Sequence, residues 1–258
     1  MSDPLFDISG KIALVTGGGT GIGAMIAGGM SERGVKTYIS GRDQGRVEAA
    51  ASDLCAAGGS CICLAAELGT MGGVLALAAE IAAREDRLDI LVNNAGANAE
   101  GSLAAMQEPD WDLMLDVNTK APFFLTRELL PLLRASAAAD DPARVINVGS
   151  IGGLHVPNWE AHAYGASKAA LHQLTRSLAK ALGPDRITVN AIAPGPFPSR
   201  LTDTDSEAVK KSVATYVPLG RPGMAEDASG AVVYLASRAG AYVNGHCLPL
   251  DGGYIAAL

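Results

Sequence analysis

A chain of 258 residues, 48% hydrophobic and 18% charged, is neither disordered nor fibrous, and its 31 glycines follow no Gly-X-Y period. At this length about three-quarters of the unfolded surface can be buried, so no disulfide or metal staple is needed. Twenty basic against 27 acidic residues give a net charge of -7 with no Lys/Arg block, which argues against a nucleic-acid or anionic-membrane partner.

The opening residues, Met1-Ser-Asp-Pro-Leu-Phe-Asp7, lack a basic segment followed by an apolar one. No later run approaches the roughly 18 apolar residues of a spanning helix. The expectation is a cytoplasmic protein. Strand signals then recur at Ile12–Thr16, Val35–Ser40, Cys61–Ala65, Asp89–Asn93, Arg144–Val148, Thr188–Ala193 and Cys247–Leu250. Each is short, apolar and bounded by Gly, Asn, Asp or Pro, as strands covered on both sheet faces should be. Between them lie Ala-rich stretches with helical spacing, including Ile22–Glu32, Arg46–Ala57, Val74–Arg84 and Ala161–Leu182.

Seven strands alternating with about six helices predict an α/β fold: one doubly wound parallel sheet of Rossmann type with helices on both faces. No linker or repeat interrupts residues 1–258, so a single domain is expected. The stretch Gly195–Pro218 has no strand signal and is rich in Pro, Ser, Thr and Asp. A segment that long in a compact domain reads as a lid, placed here at about 196–218. Cys55, Cys61, Cys63 and Cys247 form no C-x-x-C pair and read as reduced thiols.

Thr16-Gly-Gly-Gly-Thr-Gly-Ile-Gly23 follows the first strand and opens a helix. Glycine permits the tight turn and lets backbone N–H groups approach a pyrophosphate, whose charge the helix N-terminus favours. Two registers compete: Gly19, Gly21 and Ala24 match G-x-G-x-x-A, while Gly17, Gly21 and Gly23 match G-x-x-x-G-x-G. A P-loop is excluded, since no Lys-Ser/Thr follows. The second strand ends Ser40-Gly41-Arg42-Asp43, about twenty residues on. An NAD site usually wants a carboxylate at that strand end for the ribose 2′-OH. An absent acid with Arg42 beside it suits a 2′-phosphate better, because a guanidinium grips phosphate by charge and by fork geometry. NADP(H) is expected over NAD(H), with Asp43 able to oppose that choice if it turns inward.

Tyr164 and Lys168 stand four residues apart, neighbours on one helix face. A free tyrosine titrates near pH 10, and a nearby ammonium together with the positive nicotinamide of an oxidised cofactor would lower that value. Ser150 closes the fifth strand, where ligands of doubly wound sheets bind, and its hydroxyl can hydrogen-bond a carbonyl oxygen as charge develops on it. His155, His162, His172 and His246 show no H-x-x-x-H pair, so no metal site is expected.

Taken together, Thr-Gly-x-x-x-Gly-Ile-Gly at 16–23, Asn93-Asn-Ala-Gly96, Asn118, Ser150, Tyr164-x-x-x-Lys168, Pro194-Gly195 and Asp251-Gly-Gly253 resemble the short-chain dehydrogenase/reductase family across essentially the whole chain. The resemblance selects the Gly17, Gly21, Gly23 register. It implies that Tyr164 donates the proton during carbonyl reduction, that Lys168 lowers its pKa and holds the nicotinamide ribose, and that Ser150 polarises the carbonyl. Asn118 would hold a water of a proton relay through Lys168.

The implied cofactor site comprises Gly17, Thr20, Gly21, Ile22 and Gly23 in the turn, and Gly41 and Arg42 after the second strand. It continues with Glu67 and Leu68 after the third strand, and Asn94, Ala95 and Gly96 after the fourth. Pro194, Gly195, Phe197 and Ser199 follow the sixth, and Tyr164 and Lys168 are shared with catalysis. Three positions depart from the family's pattern: Glu67 replaces the usual Asp, and Phe197 and Ser199 stand where an aliphatic residue and a Thr are common.

The stretches Tyr164–Leu174 and Ile192–Arg200 look like the 3-oxoacyl reductases of that family, including the rhamnolipid-pathway type. Substrate contacts are expected from His155–His162, which carries Trp159, and from the lid. Lys120, Arg127 and Arg134 are candidates for meeting an acidic carrier protein, or are ordinary solvated charges. The helix that carries them and the Tyr164 helix are where family members pair into dimers and tetramers. Alternatives are a reductase of a sugar, polyol or cyclic ketone, and, more distantly, a dinucleotide-sensing regulator without catalysis. Ser167, in a near match to a G-x-S-x-G elbow, falls inside a predicted helix and reads as a packing residue.

Overall fold

A computed structural model describes residues 3–99, 101–157, 159–199, 204 and 206–257. Among these residues one parallel sheet holds seven strands. They are β1 (Ile12–Thr16), β2 (Lys36–Gly41), β3 (Ser60–Ala65), β4 (Ile90–Asn93), β5 (Ala143–Val148), β6 (Ile187–Pro194) and β7 (Cys247–Leu250). Their spatial order is β3-β2-β1-β4-β5-β6-β7. The chain steps outward from β1 to β3, then returns to lay β4 on the other side of β1. A crevice therefore opens at the carboxyl ends of β1 and β4, where doubly wound sheets bind ligands.

The helices are α1 (Gly21–Ser31), α2 (Gln44–Ala56), α3 (Met71–Ala82), α4 (Glu108–Leu115), α5 (Ala121–Glu128), α6 (Leu130–Ser136), α7 (His162–Leu182), α8 (Glu207–Tyr216) and α9 (Ala225–Ala236). Strand pleating sends alternate side chains to opposite faces. Ala13 and Val15 of β1 pack with Ile26, Ala27 and Met30 of α1, and with Val232 and Ala236 of α9. Ile12 and Leu14 face the other way, into a core with Leu77 and Ile81 of α3, Leu125 of α5 and Ala179 of α7. β1, β4, β5 and β6 are buried along their whole length.

Two expectations are revised. The single helix expected between the fourth and fifth strands is three helices, with a π turn over Asp116–Lys120. Proline explains both breaks. Pro122 has no N–H to return to the Asn118 carbonyl, and Pro131 opens α6 after Leu129 leaves helical geometry at φ -88°, ψ 0°. The Pro/Ser/Thr/Asp-rich stretch after β6 also holds a helix, α8, capped by the Ser206 side chain. Residues 200–203 and 205 of the expected lid lie outside the described residues. Val213 and Val217 join Ile151 and Tyr254 in a third, smaller core.

At the amino end of β5 stands Arg144, only 1% exposed. Its guanidinium donates to the Leu235 carbonyl at 3.0 Å and the Ser237 carbonyl at 2.9 Å, and also to the Pro142 carbonyl, while Asp141 Oδ1 lies 3.2 Å away. The cation thereby satisfies carbonyls at the end of α9, and burial lowers its pKa from the usual arginine value. Truncation would leave those acceptors unpaired. Arg144→Met is expected to remove about 3 kcal/mol of unfolding free energy in a urea titration. A loss below about 1 kcal/mol would show that water can substitute.

Candidate active site

The glycine turn is built around two close approaches. Gly17 has φ +65°, and Asn94 Nδ2 donates to the carbonyls of Thr16 at 2.8 Å and Gly17 at 3.1 Å. A Cβ on Gly23 would fall 2.2 Å from the Gly17 carbonyl oxygen, whereas one on Gly19 would meet nothing closer than 3.5 Å. Sterics alone therefore select the Gly17, Gly21, Gly23 register. Gly21 has φ +53° and lies under Ser199, whose Cβ would be 3.1 Å from a side chain there. Thr20 precedes α1 without capping it, and no acidic residue occupies the first turn. The first-turn N–H groups thus keep their attraction for an anion. Ile22 packs on the first core.

Thr16, which sequence reasoning placed in the motif without a role, ties this turn to the next. Its Oγ1 accepts the N–H groups of Asn94 and Ala95, both at 3.0 Å, and donates to the Val92 carbonyl. Beneath them Asn93 donates to Asn147 at 2.9 Å, and Asn147 to Thr175 at 2.9 Å, linking β4, β5 and α7 through the core.

At the end of β2, Gly41 abuts Val47. Asp43 does not turn inward: its carboxylate caps α2 by accepting Arg46 N–H and pairs with the Arg46 side chain at 2.9 Å. Arg42 is exposed and stands 3.9 Å from Glu67, whose other oxygen accepts Gly69 N–H at 3.0 Å. Leu68 is buried in the second core, and Phe197 in the first. Phe197 fills the space where a Gly223 side chain would sit, and Gly195 leaves no room for a Cβ beside Asp251.

Ser150, Tyr164, Lys168 and Asn118 converge at this edge of the sheet. Ser150 has extended backbone, and its Oγ accepts Gly152 N–H at 3.0 Å. Lys168 is 4% exposed and donates to the Val148 carbonyl at 2.8 Å. Burial pushes its ammonium down to about 8. Its Nζ stands 5.8 Å from the Tyr164 ring centroid. Burial pushes the Tyr164 phenol above its ordinary value, and hydrogen bonding with Ser150 pulls it partly back. The expected lowering by Lys168 is absent here: the ammonium is engaged by a carbonyl and the phenol is desolvated.

Asn118 clasps the loop after β4: its Oδ1 accepts Ala97 N–H at 2.8 Å, and its Nδ2 donates to the Ala97 carbonyl and to Ser167 Oγ. Gly96 would place a Cβ 3.3 Å from Asn118 Oδ1 and 3.6 Å from Lys168 Nζ. Ser167 is fully buried in mid-helix and donates to the Tyr164 carbonyl, which is no nucleophile elbow.

Leu154, His155, Val156, Pro157 and Trp159 line a cavity of about 630 Å³ beside the amino end of α7, a cavity that Ser150, Tyr164 and Lys168 do not line. Asn158, within the expected substrate stretch, lies outside the described residues. Lys120, Arg127 and Arg134 are paired with Asp116, Glu128 and Asp185, so none presents an uncompensated charge. Among the described residues no three His, Cys, Asp or Glu side chains gather to hold a metal ion, the four cysteines are unbridged, and no helix is long and apolar enough to cross a membrane.

A phenol, a hydroxyl and a buried ammonium beside an anion-binding glycine turn define a nicotinamide-dependent oxidoreductase site. Residues 17–255 match the family model described as enoyl-(acyl carrier protein) reductase, and the chain belongs to the short-chain dehydrogenase/reductase family. It is 44% identical, over 97% of its length and 98% of the relative's, to the rhamnolipids biosynthesis 3-oxoacyl-[acyl-carrier-protein] reductase of Pseudomonas aeruginosa. It is 33% identical to the 2-dehydro-3-deoxy-D-gluconate 5-dehydrogenase of Dickeya dadantii, over 97% of this chain and 98% of that one. The solved Pseudomonas aeruginosa RhlG/NADP active-site complex superposes with a TM-score of 0.94 at 43% identity, covering 98% of this chain and 99% of that one.

The turn yields a paired prediction. Gly23→Ala is expected to lower unfolding free energy by about 1–3 kcal/mol and to weaken dinucleotide binding at least tenfold, because a methyl group cannot share space with the Gly17 carbonyl. Gly19→Ala should change stability by no more than about 0.5 kcal/mol. Thermal melts and cofactor titration read both, and equal effects would refute the steric register.

Proposed function

We propose that this chain is an NADP(H)-preferring carbonyl reductase, cytoplasmic and homo-oligomeric, that transfers hydride between nicotinamide and a secondary carbonyl or alcohol of the 3-oxoacyl thioester class. The observation that carries the reading is the convergence of Ser150, Tyr164 and Lys168 next to the uncapped amino end of α1. The 3-oxoacyl class rests on the 44% identity to the Pseudomonas aeruginosa reductase.

A bound nicotinamide supplies the hydride and, once oxidised, a positive charge. The glycine turn and α1 receive the pyrophosphate, Asn94 to Gly96 shape the adenosine side, and Gly195 to Ser199 cover the nicotinamide. Ser150 Oγ orients and polarises the substrate carbonyl. Tyr164 then gives its phenolic proton to the developing alkoxide, an exchange that a cationic neighbour makes easier at neutral pH. Lys168, already tethered through Val148, holds the ribose hydroxyls. Pro122 leaves the Asn118 carbonyl without its i+4 donor, which supports a water there feeding the relay.

The NADP preference is supported by Asp43 being committed to capping α2 while Arg42 reaches outward. The lid reading is supported by α8 resting on Ile151, one residue beyond Ser150. Assembly is supported by the outer edge of β7, which pairs only with β6 among the described residues, and by the fully exposed Tyr242 nearby. Phe123 faces outward on α5, whereas Leu129 is core.

The deciding experiment follows NADPH absorbance with a medium-chain 3-oxoacyl thioester, beside NADH, a keto-sugar acid and a cyclic ketone. Turnover of the thioester with NADPH is expected, and Tyr164→Phe should cut kcat by roughly 10²- to 10⁴-fold with cofactor affinity unchanged. Turnover of the keto-sugar acid alone would move the chain toward the sugar-acid reading that the Dickeya dadantii relative favours. Cofactor binding with no turnover at all would mark a dinucleotide sensor. In the same assays Arg42→Ala should weaken NADPH roughly 10- to 100-fold and leave NADH nearly untouched. Equal losses would place Arg42 away from the 2′-phosphate.

A further inference from the structure

One turn beyond Lys168, α7 carries a second buried titratable side chain that the chemistry above does not use. His172 is 2% exposed, and its Nε2 stands 3.4 Å from the Ser150 backbone N–H, which donates to it. The loop after β5 is shaped around this ring. A Cβ on Gly149 would fall 2.0 Å from His172 Nε2, and one on Gly153 would fall 2.9 Å from Cε1. Glycines on both sides of Ser150 thus make room for one imidazole. The backbone is further held by Gly149 N–H donating to the Ile192 carbonyl at 2.8 Å.

Acting as acceptor, the ring must be neutral, with its proton on Nδ1. Burial and the neighbouring Lys168 ammonium press the imidazole down to about 4, so it keeps this role throughout the neutral range. Ser150 is consequently fixed twice, through its N–H by His172 and through its Oγ by Gly152 N–H. A leucine-sized filler would complete the packing equally well but would offer no lone pair.

We propose that His172 is a positioning residue whose Nε2, by accepting the Ser150 N–H, sets the backbone from which the Ser150 hydroxyl meets the substrate carbonyl. The inference rests on the role given to Ser150 above. His172 touches neither substrate nor cofactor and acts through Ser150 alone.

A double-mutant cycle tests it, run on whichever carbonyl the wild-type enzyme reduces, with amide hydrogen exchange at Ser150 as a readout independent of activity. His172→Leu is expected to lower kcat about 10- to 50-fold with cofactor Kd within about twofold, the scale of loss when a reacting group is misplaced. His172→Gln, which presents an acceptor at similar reach, should recover most of that rate. In a Ser150→Ala background His172→Leu should change kcat less than about twofold, because the group it positions is gone. The Ser150 amide should exchange at least about tenfold faster in His172→Leu. Where the leucine variant does not fold, Gly149→Ala pushes a methyl group against Nε2 and should show the same losses.

The proposal is overturned if His172→Leu costs the same factor with and without the Ser150 hydroxyl, if Leu and Gln behave alike, or if kcat is unchanged while the amide opens. A Ser150→Ala variant with wild-type kcat would instead remove the role of Ser150 itself. That result is distinguishable, because the amide exchange at residue 150 still reports the histidine contact.

Discussion

The approach of α1 to the end of β1, closer than any side chain permits, is the constraint on which the rest of the carboxyl edge depends. With hydrogen rather than methyl at Gly23, the helix can begin directly against the Gly17 carbonyl, and its first-turn N–H groups point into the crevice between β1 and β4. Asn94 and Thr16 then lock the next turn to this one. The loop through Gly96 is carried toward Asn118, and Asn118 in turn grips Ser167 on α7. A steric allowance at one glycine is thus propagated by directional hydrogen bonds to the helix that bears Tyr164 and Lys168.

Electrostatics at the site follow from that geometry rather than from the pairing of residues along one helix face. Lys168 is buried with a single carbonyl partner, which brings its ammonium to about 8. Tyr164 is desolvated and shifts upward. Each group is therefore displaced toward its neutral form, and the two titrations move apart, the ammonium downward and the phenol upward. A cation brought close to the phenol acts in a site already stripped of screening water, where its influence is greatest.

Much of the fold was legible because buried parallel strands are short apolar runs whose ends are marked by Gly, Asn and Pro. All seven strands were placed within a residue at each end, and β1 and β7 matched outright. The helices between β4 and β5 were less legible: their apolar spacing is continuous, and only Pro122 and Pro131 signal the breaks. Helix α8 was hidden because its flanks look like loop. At the site, spacing pointed to Ser150, Tyr164 and Lys168, whereas the glycine register had to be chosen through the family resemblance. His172 could not be read from spacing, since an imidazole on the inner face of a helix has the same spacing whether it fills space or accepts a backbone proton. Nor could the fate of Asp43, because a carboxylate at a strand end is equally suited to a ribose and to a helix cap.

The different anchoring of Ser150 and Tyr164 bears on how such a chain can diversify. Ser150 is held just beyond the end of β5 and Tyr164 within α7, while residues 154–157 and 159–161 lie between them. Lengthening a surface loop is entropically mild, about 0.6 kcal/mol per doubling. Inserting one residue between Tyr164 and Lys168 would instead widen the angle between their side chains around the helix axis from about 40° to about 140°. Insertions and deletions are therefore expected to be tolerated in the stretch carrying His155 and Trp159, and not between Tyr164 and Lys168. On the function proposed above, selection can remodel the shape of what is admitted without reopening the question of how the proton moves.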